Sequence, residues 1–268
     1  MIIVSAADDR YAPHLAVMLT SLLHHNRKHA DLRLYVVDGD VSEENKHRLQ
    51  RTAESFRRTI RFVTIRDSRY STLKVHPKKD YISKTTFARI FIPELLGDDI
   101  RKALYLDCDL IVLSDLSPLW NITLNGRHFA AAVDISPVQS KAKRKKMAER
   151  LSLPADAPYF NAGVLLMNLP QWRKHRIVDR TLAYLAVHGE NTKYNDQDAL
   201  NVVLRDRWRK LSPKWNYTSK HQTKMPLAHP AIVHFTGKRK PWNSDGPYGT
   251  LYAEYFRRSL WENELETR

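Results

Sequence analysis

Asp107-Cys108-Asp109 constrains this chain more than any other stretch. Two carboxylates sit two residues apart inside an otherwise apolar segment, with Ala103-Leu104-Tyr105-Leu106 before them and Leu110-Ile111-Val112-Leu113 after. An apolar run of that length bounded by charge reads as a buried strand. Alternate residues of an extended backbone share a face, so both carboxylates are expected to project together from the end of a core strand. Converging anions repel unless a cation lies between them, and a hard divalent metal suits carboxylate oxygen. A D-x-D triplet alone is more often a solvated turn. Its apolar setting argues against that, because unpaired buried charge is costly.

The chain has 268 residues, 43% of them hydrophobic, enough to bury a sizeable core and too apolar for disorder. Its only cysteine is Cys108, which rules out an internal disulfide and suits a reducing compartment. The N-terminus lacks a basic segment followed by a long apolar run, and no stretch reaches the roughly 20 apolar residues of a membrane span. A cytoplasmic protein is expected. The net charge of +15 calls for an anionic partner: nucleic acid, an anionic membrane face or a phosphorylated substrate.

Strand and helix patterns alternate along the first half: strands over 2–5, 32–37 and 61–65, helices over 11–25 and 42–56, and helical spacing over 84–96 interrupted near Pro93. This order predicts an α/β fold with a mostly parallel sheet and helices on both faces. Further on, strands are expected over 129–133, ending at Asp134, and over 162–167. A long helix is expected over 170–187, and another starting at Asn195-Asp196-Gln197-Asp198.

Neither common phosphate-binding loop is present: the first strand is followed by Ala6-Ala7-Asp8-Asp9-Arg10 rather than G-x-G-x-x-G, and no G-x-x-x-x-G-K-[S/T] occurs. Asp8 and Asp9 lie where open α/β sheets bind ligands, and could accept from a base or ribose, or cap a helix. A second constellation is His234-Phe235-Thr236-Gly237-Lys238-Arg239-Lys240, which follows Ile232-Val233. It joins a strand-end imidazole to a glycine that permits close backbone approach and to cations suited to phosphate. Two carboxylates, one imidazole and two phosphate oxygens would fill most of an octahedral Mn²⁺ or Mg²⁺ shell.

Five segments in order make the chain resemble glycosyltransferase family 8, and within it the bacterial lipopolysaccharide galactosyl- and glucosyltransferases, with glycogenin more distant. They are Thr85-Thr86-Phe87-Ala88-Arg89, Leu104-Tyr105-Leu106-Asp107-Cys108-Asp109, Tyr159-Phe160-Asn161-Ala162-Gly163-Val164-Leu165-Leu166, Asn195-Asp196-Gln197-Asp198 and His234-Phe235-Thr236-Gly237. The resemblance implies a GT-A fold, a UDP-sugar donor (UDP-galactose or UDP-glucose), Mn²⁺ or Mg²⁺, and a saccharide, glycolipid or glycoprotein acceptor. It implies Asp107, Asp109 and His234 as metal ligands, with Cys108 between them at the nucleotide site, its side chain turned the other way to pack. Ala6 and Asp8 would meet the uracil and ribose. Arg89 would bind sugar hydroxyls or the diphosphate, and Gly237 and Lys240 would hold the diphosphate. Asp134, Asn161, Ala162, Asp196 and Gln197 would line the sugar site. The family retains anomeric configuration. Gln197 would lie behind the anomeric carbon, where an amide is a poor nucleophile, and Asp196 is the nearby carboxylate by sequence. Front-face attack, with the departing phosphate oxygen taking the acceptor proton, is the favoured reading. Arg10 stands where asparagine is common in the family, and Phe87 where tyrosine is frequent.

The resemblance assigns 1–245 to the transferase and leaves 246–268 as a basic, aromatic tail. There Tyr252, Tyr255 and Phe256 share a helical face beside Arg257 and Arg258, suiting either an anionic membrane surface or docking on the domain. A second basic run holds Lys141, Lys143, Arg144, Lys145, Lys146 and Arg150. Acceptor contacts are expected over 136–153 and 214–227. Two alternatives remain: a phosphatase of the haloacid dehalogenase type, which also carries D-x-D after a strand but on its first strand, and a basic nucleic-acid-binding module, which would leave the acidic pair unexplained.

Overall fold

The apolar segment Ile2–Ala7 forms the first strand, β1, and every residue in it is buried. In chain order the remaining strands are β2 (Arg33–Asp38), β3 (Ile60–Thr64), β4 (Lys102–Leu106), β5 (Leu110–Val112), β6 (Phe129–Ala131), β7 (Val164–Asn168), β8 (Trp208–Lys210), β9 (Tyr217–Thr218) and β10 (Ile232–His234). The computed structural model describes residues 1–75, 83–138, 140–243 and 246–261.

Seven strands make the main sheet, in the order β3-β2-β1-β4-β7-β6-β8. The first four run parallel, β7 is antiparallel to both β4 and β6, and β6 and β8 are parallel. Alternate residues point to opposite faces, and both faces are covered. Ile3, Leu34, Val36, Leu104 and Leu166 pack with Leu15, Met18, Leu19 and Leu22 of the helix Ala12–His25. Val4, Val37, Tyr105, Leu165 and Met167 pack on the other side with Ala88, Ile92 and Trp172. The expected α/β architecture is present.

This topology converges one edge. The C-terminal ends of β1 and β4 lie side by side. Because β7 runs the other way, its N-terminal end arrives at the same edge, where Asp107 N–H donates to the Gly163 carbonyl at 2.8 Å. The end of β6 delivers Asp134 there too, its N–H donating to the Tyr159 carbonyl at 2.8 Å.

Three details differ from the sequence expectations. The acidic pair does not ride on one extended strand: β4 ends at Leu106, the chain bends through residues 107–109, and β5 enters a second sheet of order β5-β10-β9. The convergence of the carboxylates comes from that bend, not from strand alternation. The helix expected over 170–187 is two helices, Leu169–Lys174 and Ile177–His188, because Arg176 takes a left-handed conformation (φ 48°). The strand expected over 129–133 stops at Ala131, leaving a single bridge from Val133 to Phe160.

The C-terminal helix Gly249–Arg258 packs on the helix Ala12–His25. Tyr252 and Tyr255 are buried, with their hydroxyls 2.6 Å from His14 Nδ1 and 2.9 Å from His25 Nε2. These two aromatics therefore face the protein, where burial and a polar partner suit tyrosine. The last stretch of the tail, 262–268, lies outside the described residues. No helix among the described residues is long and apolar enough to cross a membrane.

His128 is buried beside the sheet, its Nε2 3.1 Å from His175 Nδ1, while among the described residues its Nδ1 has no hydrogen-bond partner. Burial first, then the neighbouring His175, lowers its pKa from 6.5 to about 4. The folded state thus binds fewer protons than the unfolded chain between those values, so stability is intact above pH 6.5 and is lost as the pH falls toward 4. Thermal melts at pH 7.5 and 5.0 should show a pH-dependent loss smaller by about 4 °C in His128→Gln than in the parent. An identical loss in both proteins would remove His128 from the account.

Candidate active site

At the converging edge lies a cleft of about 410 Å³. Asp107, Asp109 and His234 meet inside it, with one ligating atom from each lying within 4.8 Å of the others. His234 Nε2 is 3.1 Å from Asp109 Oδ1 and 3.5 Å from Asp107 Oδ2. The second sheet brings them together: β10 runs antiparallel to β5, pairing His234 with Leu110, and Phe235 N–H donates to the Asp109 carbonyl at 3.0 Å. On the far side of the ring, His234 Nδ1 faces Asn216 Oδ1 at 2.9 Å. The Asn216 amide donates to Asn161 Oδ1 at 2.8 Å, so its own oxygen is the atom turned to the imidazole. With that oxygen as acceptor, Nδ1 is the donor of the pair, and the ring is held with Nε2 turned to the carboxylates.

Two buried cations hold the carboxylates. Arg89 Nη2 is 2.9 Å from Asp107 Oδ1, its Nη1 donates to the Ala162 carbonyl at 2.6 Å, and its Nε lies 3.0 Å from Asp196 Oδ2. Its guanidinium sits 4.8 Å above the Tyr105 ring, and Tyr105 Oη donates to Asp107 Oδ1 at 2.8 Å. The Lys240 ammonium pairs with Asp109 Oδ2 and donates to the Phe235 carbonyl. Burial alone would raise the Asp109 pKa, but Lys240 and His234 outweigh it and hold the carboxyl well below the usual range. Asp196 goes the other way. Burial, only partly offset by Arg89 and Thr86, pushes it up to about 6.

A hydrogen-bonded wall closes the other side. Gln197 Oε1 accepts from Ala162 N–H at 3.0 Å, and its Nε2 donates to Asp134 Oδ2 at 3.1 Å. Asp134 also accepts from Asn161 Nδ2 at 3.3 Å and from Ser136 N–H at 2.9 Å. Behind Gln197, the fully buried Asp198 accepts from Tyr159 Oη at 2.6 Å, from Arg150, and from the backbone of Lys193 and Tyr194.

Of the residues singled out from sequence, Ala6, Asp8, Arg89, Asp107, Cys108, Asp109, Asp134, Asn161, Asp196, Gln197, His234, Gly237 and Lys240 all line this cleft. Ala162 does not: it is buried behind the wall, and its peptide groups position Gln197 and Arg89. Asp8 both faces the cleft and caps a short helix, its Oδ1 accepting from Tyr11 N–H at 3.0 Å. Asp9 is occupied elsewhere, by Ser42 N–H and Asn45 Nδ2 at 2.8 Å each. Cys108 packs against the apolar core on one side while bordering the cleft on the other. Burial first and the Asp109 charge next raise its thiol pKa well above normal, which keeps it protonated. Phe87 is buried against Ile90 and Phe91, and Arg10 stacks over Tyr11. Gly237 has φ 87°, a conformation that favours glycine.

Sequence reasoning did not single out Gly163, Asn216 or Tyr105. A methyl group on Gly163 would lie 2.2 Å from His234 Cε1 and 2.6 Å from Asp107 Oδ2, so only glycine lets the imidazole and carboxylate close over the end of β7. Its place directly after Asn161-Ala162 was a usable signal. Asn216 was hidden in a segment expected to make acceptor contacts, and Tyr105 in an apolar run.

Two carboxylate oxygens and one imidazole nitrogen, with Gly163 leaving room for them, fit a divalent cation such as Mn²⁺ or Mg²⁺. Comparison with known proteins gives the family. The family model for glycosyl transferase family 8 matches residues 2–246. General stress protein A of Bacillus subtilis (strain 168) is 32% identical over 97% of this chain and 94% of its own length. A lipopolysaccharide 1,2-glucosyltransferase of Escherichia coli (strain K12) is 29% identical over 96% of this chain and 78% of its own. The galactosyltransferase LgtC, solved in complex with donor and acceptor sugar analogues, superposes with a TM-score of 0.86 at 27% identity, covering 96% of both chains.

Replacing Gly163 by alanine should displace His234 or Asp107. Titration of Mn²⁺ in the presence of UDP should show affinity weakened by at least about tenfold, and thermal melting should show a loss of about 1–3 kcal/mol from overpacking. Unchanged Mn²⁺ affinity would mean that these groups do not act together.

Proposed function

The chain belongs to glycosyltransferase family 8, and we propose that it transfers galactose or glucose from the UDP-sugar to a saccharide-bearing acceptor, with Mn²⁺ or Mg²⁺ and with retention of anomeric configuration. The observation that carries this is the convergence of Asp107, Asp109 and His234 inside a cleft on the C-terminal edge of the sheet. Asp107, Asp109 and His234 would hold the metal. When bound, the cation supplies Lewis-acid stabilisation of the charge that develops on the departing diphosphate. Lys240 adds a buried positive charge beside the same carboxylates, and the positive φ of Gly237 shapes the backbone next to it. Ala6 and Asp8 are assigned the nucleoside end of the cleft. Asp134, Asn161, Asp196 and Gln197 are assigned the sugar end. Family membership displaces the phosphatase and nucleic-acid alternatives.

Arg89 acts on this reading chiefly as a positioning residue. It neutralises Asp107 and Asp196 from within the wall, and its removal would strand two carboxylates, a loss of about 3–5 kcal/mol for a broken buried pair.

The environment of the wall supports front-face attack. A double displacement needs an accessible nucleophile on the far face of the sugar. The Gln197 amide has both ends engaged, and Asp196 is 2% exposed, held by Arg89 and by Thr86 Oγ1 at 2.7 Å. With those groups tied down, the departing phosphate oxygen is assigned the acceptor proton, and the Gln197 carbonyl and Asp134 orient the sugar. Residues 1–245 would carry the reaction, with the segment from residue 246 bracing the helix Ala12–His25. The site of action is proposed to be cytoplasmic.

Hydrolysis of UDP-glucose and UDP-galactose, followed with and without Mn²⁺, tests the reading. The parent should require metal for at least one donor, and Asp109→Asn should lower the metal-dependent rate at least about 100-fold. Metal-independent turnover, or an unaffected Asp109→Asn, would contradict it. With a transferred product in hand, proton NMR should show the anomeric configuration of the donor.

A further inference from the structure

The cleft's cations are unevenly committed. Arg89 and Lys240 are paired with Asp107, Asp196 and Asp109 inside it. Lys193 and Lys220 are different: both border the cleft and lie exposed, and among the described residues neither ammonium pairs with a carboxylate; the Lys193 ammonium sits over the Tyr194 ring at 5.5 Å. Next to it stands the helix Lys141–Leu151, on which residues 141–146 are all exposed. Lys141, Lys143, Arg144, Lys145 and Lys146 face solvent there. The single ion pair they form among the described residues is Lys145 with Glu149 at 3.8 Å, an exposed contact of little strength.

This basic face is built against the sugar end of the cleft. Asp198 fixes both parts: Arg150, from the last turn of the helix, donates to Asp198 Oδ2 at 2.6 Å, and the Lys193 and Tyr194 N–H groups donate to the same oxygen at 2.6 and 2.8 Å. Tyr159 Oη then links Asp198 to Gln197. Met147 and Leu151 of the helix pack with Tyr159, and Val138 and Tyr194 close over them. Ser136, five residues before Lys141, borders the cleft, so the helix begins at most about 18 Å from it. One buried carboxylate thus anchors both Lys193 and the helix that carries the five exposed cations to the wall assigned to the transferred sugar.

Resting on the transferase reading above, we propose that the acceptor is an anionic saccharide, carrying phosphate or carboxylate groups, and that Lys193 and the exposed cations of the helix Lys141–Leu151 hold those groups while the hydroxyl to be glycosylated enters the cleft. Like charges on one face repel each other, and an anionic ligand relieves that repulsion. Several exposed contacts acting together give discrimination that none gives alone.

The test uses the full chain loaded with Mn²⁺ and UDP, and three sugars as probes: glucose, glucose 6-phosphate and glucuronate, with their galactose counterparts. Binding is read by saturation-transfer NMR, and acceptor turnover is measured alongside. The charged sugars should bind about tenfold more tightly than the neutral one at low salt, the sum expected of a few exposed ion pairs. The preference should collapse at about 0.5 M salt, where screening is short-ranged. Replacing all five helix cations with glutamine should reduce it to less than about twofold, and Lys193→Gln should lower it on its own. Equal binding of neutral and charged sugars, or a preference that survives the five-residue variant, overturns the proposal. So does a parent that binds phosphatidylglycerol vesicles through this helix while showing no saccharide preference, which would assign the face to lipid. UDP titration on the same samples separates the two levels: failure of Mn²⁺-dependent UDP binding in the parent would remove the transferase reading itself, whereas intact UDP binding without a charged-sugar preference removes only the acceptor assignment.

Discussion

Like-charge crowding at one bend organises this molecule. Asp107 and Asp109 are brought together where the chain leaves the main sheet for the smaller one, and neither carboxylate is left to water alone. Arg89 reaches Asp107 from the helix Ala88–Leu95, and Lys240 reaches Asp109 from the segment after β10. Each cation thereby ties a different part of the chain to the bend. A pair of carboxylates that would repel in isolation becomes the point at which two sheets are joined. The electrostatics that hold the fold at this edge are also those proposed to prepare a site for a divalent cation and a diphosphate.

The support behind that pair is mostly neutral and directional. Asn161 links Asn216, Gly163 and Asp134, so one amide sets the imidazole orientation, the start of β7 and the wall around Gln197 together. Gln197 and Asp198 perform the matching task from the helix Asp196–Val203: the first faces the cleft, the second faces the basic helix. Hydrogen-bonded networks of this kind are costly to leave half satisfied, which fixes their geometry before any ligand arrives.

The parallel half of the sheet was legible because β1, β2 and β4 carry continuous apolar runs and β3 a shorter one, separated by well-capped or periodic helices; Ser42, for instance, caps its helix by accepting from Asn45 N–H as its position suggests. The chemistry-bearing residues were legible because a buried carboxylate pair, a strand-end histidine and a glycine followed by lysines are each unusual in apolar surroundings. What remained hidden depends on long-range contacts. Nothing local marks Asn216 as the partner of His234, which the pairing of β9 with β10 decides, or β5 as a strand of a separate sheet, which is decided by its pairing with β10 more than a hundred positions away. The break at Arg176 was equally invisible, because the surrounding residues have ordinary helix propensity and the turn is set by how Trp172 and Ile177 enter the core. The aromatic face of the C-terminal helix could be read as membrane-seeking or core-seeking until His14 and His25 were seen to meet its hydroxyls.

The central claim is that Asp107, Asp109 and His234 act as one metal shell that engages a nucleoside diphosphate. Pulsed electron paramagnetic resonance of Mn²⁺ bound to the protein with UDP reads this directly. Coupling to one imidazole nitrogen, lost in His234→Ala, together with coupling to phosphorus from UDP, is the predicted result. Bound Mn²⁺ that shows phosphorus coupling but no nitrogen coupling, or none of either, would contradict the account.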